Sequence, residues 1–148
     1  MEEQLISFEV AKLAKEKGFN VAVCSCYTKD GNFQDLNDLY NCSCEGGMQL
    51  KECYNDYNTH PRLFSAPTQS LLQKWLRDVY NTIINLSAIP DHRDIDNKKL
   101  SFYYDILKDN DWIEEELDEK NSDPVYYATY EEALESGLEA ALNLITKK

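Results

Sequence analysis

A chain of 148 residues with 27 acidic and 15 basic side chains carries a formal net charge of -12. That charge excludes a nucleic-acid backbone or an anionic membrane as direct partner, because both require clustered Lys and Arg. The length fits a single domain, residues 1–148, with a core that needs no disulfide or metal staple. No apolar run approaches the roughly 20 residues of a membrane span. The start, MEEQLISFEV, has neither a basic n-region nor an apolar h-region, so the expected location is the cytoplasm in which the chain is made. Five cysteines in such a chain are expected to be reduced thiols.

Ser7 is placed to cap a first helix, FEVAKLAKEKG, whose apolar side is Val10, Ala11, Leu13 and Ala14 and whose stop is Gly18. Phe19 then folds back on the last turn, and Lys12, Lys15 and Lys17 read as a solvated face near the negative end of the dipole. Asn20 to Tyr27 is β-branched and alternating, and Asp30-Gly31 after it signals a hairpin. Further extended segments are expected at Leu39 to Cys44 and at Met48 to Tyr54, followed by an exposed loop, Asn55 to Arg62.

The stretch Ser65 to Asn81 reads as the central helix. Ser65 is the cap, Pro67 fits the first turn, and Leu72, Trp75, Leu76 and Val79 form the buried stripe, widened by Leu71 and Tyr80. Thr82 to Ile89, Leu100 to Leu107 and Pro124 to Ala128 read as three strands of a meander, with an acidic loop, Lys108 to Asp123, before the last. Thr129-Tyr130-Glu131-Glu132 is a capping box that opens the final helix. There Ala133, Leu134, Leu138, Ala141, Leu142 and Ile145 recur at three and four, and Gly137 permits a close approach. The expected fold is α+β, with a mostly antiparallel sheet of five to six strands and three amphipathic helices in the order α-β-β-(β)-α-β-β-β-α.

Three blocks, ISFEVAKLAKEKGF, FSAPTQSLLQKWLRDVYN and YEEALESGLEAALNLI, resemble a family of small uncharacterised phage and prophage proteins of Bacteroidetes. They cover about a third of the chain, and SAPTQSLLQKWLR is the specific part. The resemblance implies a phage-encoded accessory protein in the host cytoplasm and carries over no catalytic or binding residue.

Four constellations bear on chemistry. Cys24-x-Cys26 and Cys42-x-Cys44 could share one patch if their segments pair, since residues two apart on a strand lie about 6.5 to 7 Å apart on one face. Zinc on those four thiols is the alternative to ordinary half-buried cysteines, because C-x-C on a strand presents both sulphurs to a metal poorly. His60 and His92 sit in loop contexts without a nucleophile signature, and no phosphate loop, zincin helix or nucleophile elbow occurs, so no catalytic residue is assigned.

The start of the central helix is a candidate anion site, where Arg62, Ser65, Thr68 and Gln69 would surround the phosphate of a nucleotide-like small molecule. Finally, residues 105 to 148 hold 13 acidic and 4 basic side chains, a net of -9 out of -12. Asp109 and Asp111 have calcium-loop spacing, but Glu114 occupies the position an EF-hand gives to Gly. Trp112, Glu114, Glu115 and Glu116 are instead the candidate protein-binding set, either as a platform for a basic host protein or as an acidic DNA mimic. The expected function is a non-enzymatic accessory protein without a cofactor, acting by binding in counter-defence, through a nucleotide signal or a host protein.

Overall fold

The computed structural model describes residues 3–35, 55–90, 99–109, 111–115 and 124–146, and the chain divides into two compact units, Met1–Thr68 with Lys147–Lys148, and Gln69–Thr146. The segments expected as strands at Leu39 to Cys44 and at Met48 to Tyr54 lie outside the described residues, as do Cys42, Cys44, Cys53, His92 and Glu116. Among the described residues there are three α-helices, one 3-10 turn at Tyr57–Thr59 and six strands. The strands form two three-stranded antiparallel sheets rather than one larger sheet.

In the first unit, helix α1 (Phe8–Lys17) begins as its sequence dictates: the Ser7 side chain accepts the Val10 N–H, and Gly18 ends the helix at φ 91. Phe19 returns onto the last turn by donating its N–H to the Ala14 carbonyl at 2.9 Å, and its side chain is buried. Strands β1 (Ser25–Thr28) and β2 (Phe33–Asp35) form the hairpin, closed by the loop Lys29-Asp30-Gly31. Gly31 has φ 79, the left-handed position that a three-residue hairpin loop reserves for glycine. A Cβ there would also come within 3.2 Å of the Phe8 ring.

The third strand of this sheet, β3 (Leu63–Ser65), pairs with β1 on the side opposite β2. It corrects the expected helix start. Ser65 is no cap: it is the cross-strand partner of Cys26 and fully buried. The next residues stay extended, with Ala66 donating to the Ser25 carbonyl, Pro67 accepting from Ile6 and Thr68 bridging Leu5. A residue before proline avoids the helical region, so Ala66-Pro67 already disfavoured a helix through that point.

Lys15 is a second correction. Its Nζ donates to the carbonyls of His60 at 2.6 Å and Leu63 at 2.7 Å and stands 4.7 Å from the Phe64 ring centroid, so it ties α1 to β3 instead of lying on a solvated face.

In the second unit, helix α2 (Gln69–Tyr80) buries Leu72, Trp75 and Leu76, while Val79 is 52% exposed. Tyr80 closes the stripe in its place, its ring edge-on to Trp75 with centroids 5.1 Å apart. Asn81, at φ 49, turns the chain directly into β4 (Thr82–Pro90), which pairs along its whole length with β5 (Leu100–Lys108).

The acidic stretch expected as a loop contains β6 (Asp111–Glu115), paired antiparallel with β5 from Lys108 opposite Asp111 onward. Asp109, directly after β5, adopts a left-handed φ of 53, a conformation that Asp tolerates better than most residues. The segment expected as a strand, Pro124 to Ala128, forms isolated bridges only, and the one to β5 joins Phe102 to Tyr127, while β6 holds β5 at residues 105 to 108.

Helix α3 (Tyr130–Asn143) starts where the Thr129 side chain accepts the Glu132 N–H, and it lies on β4 and β5 and against α2. Its expected stripe, from Ala133 to Ile145, is buried at every position. Gly137 is the closest point: a Cβ there would fall 2.8 Å from Ile84 Cγ2 and 3.1 Å from Tyr104 Cγ.

Candidate functional site

Antiparallel pairing puts directly opposed side chains on one face, so the register of β4, β5 and β6 sorts the second sheet into two faces. Ile84, Tyr104 and Ile106 face α3 and are at most 5% exposed. The other face has a banded composition. Its first band is Ile83, Leu107 and Trp112, aligned across the three strands. Ile83 and Leu107 are half-buried, whereas Trp112 at the sheet edge is 67% exposed.

The second band is Asn85 and Asp105, with Glu115 at the register position beside Asp105. The third is Ser87 and Tyr103, the latter edge-on to Tyr126 with ring centroids 6.0 Å apart. Among the described residues Asp105 has no hydrogen-bond or ion-pair partner. An apolar row, a carboxylate and a tyrosine pair thus follow one another along β5.

The set proposed from sequence for protein binding is partly assembled here. Trp112 is on the outer face, Glu114 stands opposite Ile106 and Glu115 opposite Asp105 in register. Reading the sequence missed Asp105, Tyr103, Leu107 and Ile83. LSFYYDIL is apolar at both parities, so alternation cannot tell its two faces apart. A lone Asp inside that run was the available signal.

The residues proposed for an anion are placed differently. Arg62 is exposed in the turn before β3, where its N–H donates to His60 Nδ1 at 3.2 Å. Ser65 is buried in β3, and its Oγ has no partner among the described residues. Thr68 immediately precedes α2. Gln69, in the second unit, is 3% exposed and its Nε2 donates to Glu135 Oε2 at 2.8 Å and to the Glu131 carbonyl at 3.1 Å. The donor that the sequence offered to a phosphate is occupied by a carboxylate, which would repel an anion.

Of the thiols proposed as zinc ligands, Cys24 is half-buried and Cys26 buried, and both are free. Burial pushes the Cys26 thiol above its ordinary range, since a thiolate is disfavoured away from water. Among the described residues no group of three or more His, Cys, Asp or Glu side chains is arranged to hold a metal ion, and no helix is long and apolar enough to cross a membrane. Comparison of the chain with protein-family models, with curated proteins and with solved structures finds no match, which leaves the geometry of the site as the ground for its reading.

Proposed function

We propose that the protein acts by binding, not by catalysis, and that its partner is a protein with a basic surface. One observation carries this reading: a tryptophan 67% exposed on a sheet edge, within the segment of the chain that holds most of its negative charge. Tryptophan is enriched among the residues that dominate interface energetics, because one rigid side chain buries a large area at little entropic cost. The surrounding carboxylates would speed encounter with a cationic partner and reject anionic ones. In the setting implied by the helix strings, a phage accessory protein in a host cytoplasm, the partner is a host protein and the consequence of blocking it is counter-defence.

The test is affinity capture from host lysate by four proteins: the parent, Trp112→Ala, the triple reversal of Glu114, Glu115 and Glu116 to Lys, and Arg62→Ala. The expected result is a defined partner retained by the parent and by Arg62→Ala and lost by the other two. Retention of every captured species by both the Trp112 and the triple variants would overturn the reading. Loss on Arg62→Ala alone would transfer the function to the first unit.

A further inference from the structure

We infer that the outer face of the second sheet recognises an amphipathic helix bearing an apolar residue, an arginine one turn later and a second apolar residue one turn beyond that. The inference rests on the protein-binding reading above and adds the chemistry of the partner.

The spacing comes from β5. Leu107, Asp105 and Tyr103 alternate onto one face, so successive members stand about 7 Å apart. On a helix, positions i, i+4 and i+8 are about 6 Å apart along one side. A helix lying along β5 therefore sets one side chain against the Ile83–Leu107–Trp112 row, the next against Asp105 and the third against Tyr103 and Tyr126. Three strands span roughly 10 Å across, close to the width of a helix with its side chains.

The charge comes from Asp105. It is half-buried, has no partner among the described residues, lies between Leu107 and Tyr103 along its strand, and stands opposite Asn85 on one side and the position of Glu115 on the other, a second acidic residue that adds to the demand for a cation. A guanidinium satisfies such a site better than an ammonium does. Its planar fork binds a carboxylate through two parallel hydrogen bonds, and its face stacks on a tyrosine ring.

Two other occupants fit less well. An added strand would need the side of β6 away from β5, which has no strand partner among the described residues and carries a bulge beside Trp112 and charged positions at Asp111, Glu114 and Glu115, the devices that blunt sheet edges. A second copy of this chain would bring Asp105 against its own acidic face in a molecule of net charge -12.

The test uses a labelled synthetic helical peptide with Leu, Arg and Leu at i, i+4 and i+8 on one side, titrated with the full chain by fluorescence anisotropy. Replacing the peptide Arg by Gln is expected to weaken binding tenfold to a hundredfold, as is Asp105→Asn. The two changes together are expected to weaken it no further than either alone, and thermal melts confirm that Asp105→Asn folds. If Trp112→Ala removes binding while the Arg and Asp105 changes do not, the recognition pattern is wrong and the protein-binding reading stands. Indifference of the peptide complex to Trp112→Ala as well sinks both. Failure of the peptide to bind, or a dimer of the parent in sedimentation that Trp112→Ala dissociates, also overturns the inference, the latter in favour of self-association.

Discussion

The two faces of the second sheet are built from the same three strands and obey opposite rules. Against α3, Ile84, Tyr104 and Ile106 are sealed, and the helix comes so close that Gly137 leaves no room for a methyl group. On the other side Asp105, a carboxylate without a partner among the described residues, lies between an apolar row and a tyrosine pair, and a tryptophan stands in solvent. Stability resides on the first face, which leaves the second free to carry chemistry that a core would reject. A buried Asp without a partner would cost far more than any gain from packing around it.

The contrast is most easily broken from the helix side. Trp75→Ala empties the largest side chain of the α2 stripe and is expected to lower stability by about 3 to 5 kcal/mol. Chemical denaturation measures this, and an unchanged midpoint would mean that α2 is not packed as described.

Gly137→Ala comes next. Alanine is favoured over glycine inside a helix by roughly 1 kcal/mol. Here its Cβ would meet the branch of Ile84 and the root of the Tyr104 ring, neither of which can swing aside. The net expectation is a loss of about 1 to 3 kcal/mol, and a gain in melting temperature would show that the close approach is not real.

Thr129→Ala removes the side chain that accepts the Glu132 N–H, for an expected loss of about 1 kcal/mol. Thr129→Ser should recover most of it.

Trp112→Ala sharpens the comparison from the other face. A side chain this exposed contributes little to folding, so stability should stay within about 0.5 kcal/mol of the parent. A loss comparable to that of Trp75→Ala would make Trp112 a core anchor and remove the basis of the binding site.

What could be read from the chain beforehand divides by range of interaction. The cap at Ser7, the stop at Gly18, the fold-back of Phe19, the Thr129 cap and the close approach at Gly137 were all legible. The α+β class and the rough order of its elements followed from them and from the strand patterns of TIINLSAI and LSFYYDIL, whereas β3 and β6 fall where a helix start and a loop were expected. The candidate site was legible only in part, through Trp112 and the charge around it, while Asp105 and Tyr103 were hidden in a strand apolar on both faces.

By itself the sequence determined the features whose partners lie within one helical turn or one hairpin loop, since propensity, capping and turn conformation are properties of a few adjacent residues. Tertiary structure decided the rest, because the deciding partner lies far along the chain. Ser65 caps or pairs according to whether Cys26 stands beside it, and Lys15 is solvated or tied according to where Leu63 runs. Asp111 to Glu115 became a strand because the side of β5 away from β4 was there to pair with. Which face of β5 meets the helix was settled by the fit of Gly137 against Ile84 and Tyr104, and that choice left Asp105 and Trp112 facing outward.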